Sequence, residues 1–199
     1  MKKLLLPVLV LGTLAGCNAD DIQNAAESKA GVDIYDSSAI KASAKAFALG
    51  LEVISQAALE CGTDSNCEVD ASYANGSIEG TLKVSGDVSK YTVTSEGALK
   101  IKSDDGKQSF KVSLFAHGNS LVLTQDINNG ALYAVELTDS HFEVSKPEDA
   151  MFGGKTLIPF EFNFTTTELT PNAGKGEISG QDKDTRTFTY TNDGNIKLD

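Results

Sequence analysis

The sequence contains no tryptophan and only one arginine, Arg186, among 199 residues. Nucleic-acid affinity comes largely from Lys and Arg displacing counterions from phosphates. With 17 basic against 28 acidic residues, a formal charge of −11, the composition excludes a phosphate-backbone binder. Histidine is equally scarce. His117 sits in a turn-like Ala-His-Gly-Asn, His141 opens a strand-like Ser-His-Phe-Glu, and no motif surrounds either. A G-x-S-x-G elbow, an H-E-x-x-H helix, a Walker loop and a dinucleotide fingerprint are all missing, so the expectation is a non-catalytic protein without cofactor. Metal ligation is also unsupported. Asp182-Lys183-Asp184 begins like a calcium loop, but Arg186 at the fifth position and no glycine at the sixth spoil it, leaving a solvated hairpin tip. A transmembrane helix needs about 20 apolar residues, and the longest apolar run falls short. A charged fraction of 23% with regular apolar alternation excludes a wholly disordered chain, and the length suits one domain.

What is present begins with that apolar run. Lys2 and Lys3 precede Leu4 to Ala15, interrupted only by Pro7, Gly12 and Thr13, the pattern of a secretory signal. Its end, Leu14-Ala15-Gly16-Cys17, resembles the lipobox of bacterial lipoproteins. The resemblance implies a signal peptide at 1–16, cleaved before Cys17, and fatty acylation of that cysteine. Two or three acyl chains hold a bilayer stably where one does not. By the same resemblance, Asn18 after the cysteine, with no Asp there, implies the outer membrane; the body is expected on its periplasmic side. Such a body touches the membrane through its lipid, because an acidic surface is repelled by anionic headgroups. Asn18 to Gly31 is small and polar and reads as a flexible tether, so the organisation expected is signal 1–16, lipidated cysteine and tether 17–35, and one globular domain 36–199.

The two remaining cysteines, Cys61 and Cys67, bracket the turn-forming run Gly62-Thr63-Asp64-Ser65-Asn66. In an oxidising compartment, with Cys17 acylated, they form the only available pair, and a disulfide pinning a helix end to the start of a sheet is expected.

The body divides into one helix and many strands. Ile40, Ala44, Phe47, Leu51, Ile54 and Ala58 recur at steps of three and four, predicting a helix over 37–60 capped by Asp36, Ser37 or Ser38 and closed at Gly62. From residue 69 the period changes to two. Turn signals at Asn75-Gly76, Ser85-Gly86, Glu96-Gly97, Asp105-Gly106, His117-Gly118, Asn129-Gly130 and Asp193-Gly194 predict consecutive antiparallel hairpins. The fold expected is α+β, mainly antiparallel: the helix packed on a curved β-meander or barrel-like sheet of about nine to eleven strands. Thr138 to Leu157 interrupts the pattern, and Ser145 and Glu148 around Pro147 predict a short helical turn through Met151 and Phe152, as a flap or a long connection finishing the core.

Three functions fit this outline. The first is an envelope lipoprotein acting as a binding or interaction module for another envelope component. The second is a carrier or sensor of apolar ligands, with Phe160, Phe162 and Phe164 lining a cavity beside Leu121, Leu123 and Val135. The third is an enzyme, which needs a pocket joining His117 or His141 to a carboxylate within hydrogen-bond range.

Overall fold

The computed structural model describes residues 31–115, 118–165, 171–180, 184–191 and 194–199. The signal segment, Cys17, most of the tether, His117, Asp182 and Lys183 lie outside the described residues.

The apolar stripe becomes helix α1 (Ser37–Cys61). Asp36 caps its start, its carboxylate accepting from the Ser38 and Ala39 backbone N–H groups at 2.8 and 3.4 Å. Gly62, at φ 61°, closes it by donating its N–H to the Ala58 carbonyl at 3.1 Å. Residues 46–55 are buried without a break, so α1 is enclosed on all sides through its middle.

What encloses it is a sheet of thirteen strands among the described residues: β1 (Cys67–Ser72), β2 (Gly76–Asp87), β3 (Lys90–Ser95), β4 (Ala98–Ser103), β5 (Ser109–Ser113), β6 (Leu121–Gln125), β7 (Leu132–Leu137), β8 (Ser140–Lys146), β9 (Ala150–Ile158), β10 (Phe160–Asn163), β11 (Gly174–Ser179), β12 (Thr185–Tyr190) and β13 (Ile196–Leu198). Every strand pairing is antiparallel. β2 is long enough to carry β3 along Leu82–Asp87 and β4 along Gly76–Glu79, while β1 occupies its other edge. The sheet therefore forks, one limb running β3-β6-β7-β10 and the other β4-β5-β8-β9-β11-β12-β13. Pro159 carries the chain from β9 to β10, and Glu161 there exchanges hydrogen bonds with Asn172 and Ala173 at 2.8 and 3.0 Å. The limbs thus curl toward each other around α1, but the sheet is not closed.

Phe47 of α1 sits at the centre, its ring 5.6 Å from those of Phe142 and Phe160 and 5.7 Å from that of Phe188. Phe142 in turn stacks on Phe152 at 4.6 Å. Gly154 makes the close approach possible, since a Cβ there would lie 2.7 Å from the Phe47 ring.

Four expectations need correction. The order is not a simple meander, because β2, β5, β7 and β9 pair with β4, β8, β10 and β11; spacing between turns reports hairpin lengths but not which strand the next one joins. Ser85-Gly86 lies inside β2, and the turn falls at Val88-Ser89, where the Asp87 carboxylate receives the Ser89 and Lys90 backbone N–H groups. The segment through Met151 and Phe152 is strand β9 rather than a helical turn: paired with β8 and β11, it places Phe152 against Phe142, and this pairing outweighs the local capping pattern. Phe152 does finish the core, as expected, whereas Met151, opposite Glu143, is buried outside the core cluster. The strand total also exceeds nine to eleven, in part because β9 does not alternate and the sequence leading into it carries a helix-start pattern. Residues 31–35 are held against the body, with Val32 donating to the Met151 carbonyl at 2.9 Å and Val32 and Ile34 buried.

Candidate functional site: an uncompensated rung at the sheet rim

In an antiparallel sheet, directly paired residues project to the same face, so each rung across several strands forms a row of neighbouring side chains. Across β2-β4-β5-β8 the rung Ile78, Ile101, Phe110, Val144 is buried and faces α1. The adjacent rungs face outward. One reads Asp70, Glu79, Lys100, Lys111, Glu143 from β1 to β8, and its lysines are compensated: Lys100 pairs with Glu79 at 2.7 Å and Lys111 with Glu143 at 3.7 Å. The other reads Ser72, Ser77, Lys102, Ser109, Lys146, the last brought opposite Ser109 by a register shift beside Phe110, and contains no acid. Among the described residues Lys102 and Lys146 have no ion-pair partner. Lys102 acts on Glu79 only through its charge, as a minor influence behind Lys100.

This open rung lies at the rim, where the β1–β2 and β4–β5 turns and the end of β8 enclose a cleft of about 330 Å³. Its walls combine the five rung residues with Tyr73, Asp104 and Gln108. Asn75 holds the two turns together. Its side-chain amide donates to both oxygens of Glu52 on α1 at 3.1 Å, and its carbonyl accepts from the Asp104 N–H at 2.9 Å. Gln108 ties the second turn to α1 by donating to the Ala42 carbonyl at 3.3 Å. Glu52 is only 3% exposed, and burial pushes its carboxyl up to about 7, partly offset by the Asn75 bond. Burial, with the Glu52 charge second, raises the Tyr190 phenol. Gly76 is required for contact: a Cβ there would lie 2.5 Å from the Lys102 carbonyl oxygen.

The structure disposes of the sequence-predicted residues differently. Cys61 and Cys67 are joined, with Cα atoms 5.9 Å apart, linking the end of α1 to β1. Phe160 and Phe162 are fully buried, and the space before Phe160 is taken by Phe47, Phe188 and Tyr190. Phe164 is half-buried against Tyr133 and Phe162, at 5.8 and 5.6 Å. His141 lies on β8 across from Gly153, with its Nε2 buried and without a hydrogen-bond partner. Burial lowers its pKa, and Glu143 and Asp139 oppose that through charge alone, neither carboxylate being hydrogen-bonded to the ring. Asp184 accepts a hydrogen bond from the Tyr35 hydroxyl at 3.1 Å, and no group of three metal-ligating side chains occurs among the described residues.

Sequence reading missed Lys102, Lys146, Asn75 and Glu52 as a set. Asn75-Gly76 is legible as a turn, but the lysines stand out only once the register shows which rung lacks acids. Comparison with protein-family models, curated proteins and solved structures yields no match.

Proposed function

We propose that the protein is an outer-membrane lipoprotein facing the periplasm, anchored through an acylated Cys17, whose body is a non-catalytic binding module. The lipobox-like Leu14-Ala15-Gly16-Cys17 and the following Asn18 support the anchor and its membrane. The observation that carries the binding role is the contrast between the two sides of the sheet. The concave side is filled by α1, and Phe160 gives its surface to Phe47 rather than to a void, which favours recognition on the outer face over an apolar carrier. On that face, the cleft beneath Lys102 and Lys146 is a concave feature whose two lysines have no ion pair among the described residues.

Fractionation tests the anchor. The native protein is expected in the outer-membrane fraction and Cys17→Ser in the soluble periplasm; a variant that still pellets overturns the anchor. Lysine labelling tests the binding role. A small amine-acylating reagent is expected to modify Lys102 and Lys146 less in whole cells than in the purified protein, and equal labelling in both argues against binding at this cleft.

A further inference from the structure

We propose that the cleft binds a monosaccharide-sized ligand carrying an acidic group, a phosphate monoester or a carboxylate on a hydroxylated ring; this rests on the binding-module reading above. The acid is placed by two ammonium groups. Lys102 and Lys146 stand on β4 and β8 with only Ser109 of β5 between them in the rung, so an oxyanion above Ser109 is within the sweep of both flexible side chains. Lys83, Lys100, Lys107, Lys111, Lys155 and Lys175 each sit beside a carboxylate, whereas Lys102 and Lys146, without an ion pair among the described residues, share one rung of the sheet. In a chain with eleven more acids than bases, two adjacent cations left open are a local reversal of sign.

The hydroxylated part follows from the rest of the wall. Ser72 and Ser77 continue the rung away from the lysines, and among the described residues neither hydroxyl is engaged. Each both donates and accepts. Asp104, anchored by its backbone to Asn75, adds a carboxylate that would accept from ring hydroxyls but repel a bare anion. Lysines at one end with serines and an acid at the other therefore favour a ligand with its charge on one side over a simple ion. The volume is sufficient for one sugar ring with its substituent.

Calorimetric titration of the full-length protein purified in detergent tests this, using glucose 6-phosphate, glucuronate, inorganic phosphate and glucose. Saturable binding of glucose 6-phosphate or glucuronate is expected at about millimolar affinity, weakening with added salt, and whichever of the two binds identifies the acid. Lys102→Gln/Lys146→Gln is expected to weaken it by about tenfold or more, since each lost partner is a charge-assisted bond. Neither lysine supports the fold, so the thermal midpoint of this variant is expected to match that of the parent, which separates lost binding from lost structure. Inorganic phosphate binding as tightly as glucose 6-phosphate overturns the sugar component. Glucose binding equally well, no saturation with either acidic sugar, or binding unchanged in the double variant overturns the proposal. Protection of Lys102 and Lys146 from acylation in cells alongside failed titrations leaves the binding module standing and removes only this ligand class.

Discussion

Glu52 and Gly76 are single residues on which the rim depends, and they fail differently. A buried carboxyl raised to about 7 favours its protonated form in the folded chain, whereas in the unfolded chain it ionises near 4.5. Between those values the folded state holds more protons, so its stability falls as pH rises from about 4.5 to about 7 and then levels. Glu52→Gln, which can still accept from Asn75, is expected to remove that slope and gain on the order of 3 kcal/mol at pH 8 with little change at pH 4.5. Denaturant midpoints across this range check it; parallel curves for parent and variant would sink the account. Gly76→Ala is expected to cost about 1–3 kcal/mol in the same assay, because its methyl group collides with backbone, not with a side chain that can swing away. Neither role was readable from sequence. Glu52 lies outside the apolar stripe that predicts α1, where a charged residue ordinarily faces water, and only the enclosure of the helix turns it into a buried acid.

At the scale of elements, α1 and the disulfide were the most legible parts, because their signals are local: steps of three and four, an Asp before and a Gly after, two cysteines around turn formers. Strand segments were legible too, by alternation. Their pairing was not, since β2 choosing both β3 and β4 depends on its length and curvature rather than on any nearby residue. β9 shows the limit most clearly. Ser145, Pro147 and Glu148 satisfy a helix-start pattern, yet Phe152 gains more by stacking on Phe142 than a short turn could supply. The bridge between α1 and β1 closes a short loop, so Cys61→Ser/Cys67→Ser is expected to lose about 2 kcal/mol while leaving the overall circular dichroism intact. Hydrogen exchange should report the loss first at the C-terminal turn of α1. Phe47→Ala is expected to cost about 3–5 kcal/mol by chemical denaturation, as it opens a hole touched by both limbs of the sheet.

For the molecule as a whole, the class of fold followed from composition and periodicity, but the candidate site did not, because a rung is a property of five strands contributed from residues 72 to 146. The same long-range wiring makes the last strands indispensable. Deleting residues 185–199 removes Phe188 and Tyr190 from around Phe47 and Phe160, and the truncated chain is expected to show no cooperative thermal transition; a sharp one would show that the core closes without them. There is a temporal consequence as well. The ribosome delivers α1 before any strand, and its middle turns have no water-facing side. A growing chain must therefore carry a greasy rod that the strands wrap step by step and that stays partly uncovered until the final hairpin emerges. During that interval it invites self-association, and whatever machinery escorts the nascent chain has to shield this segment.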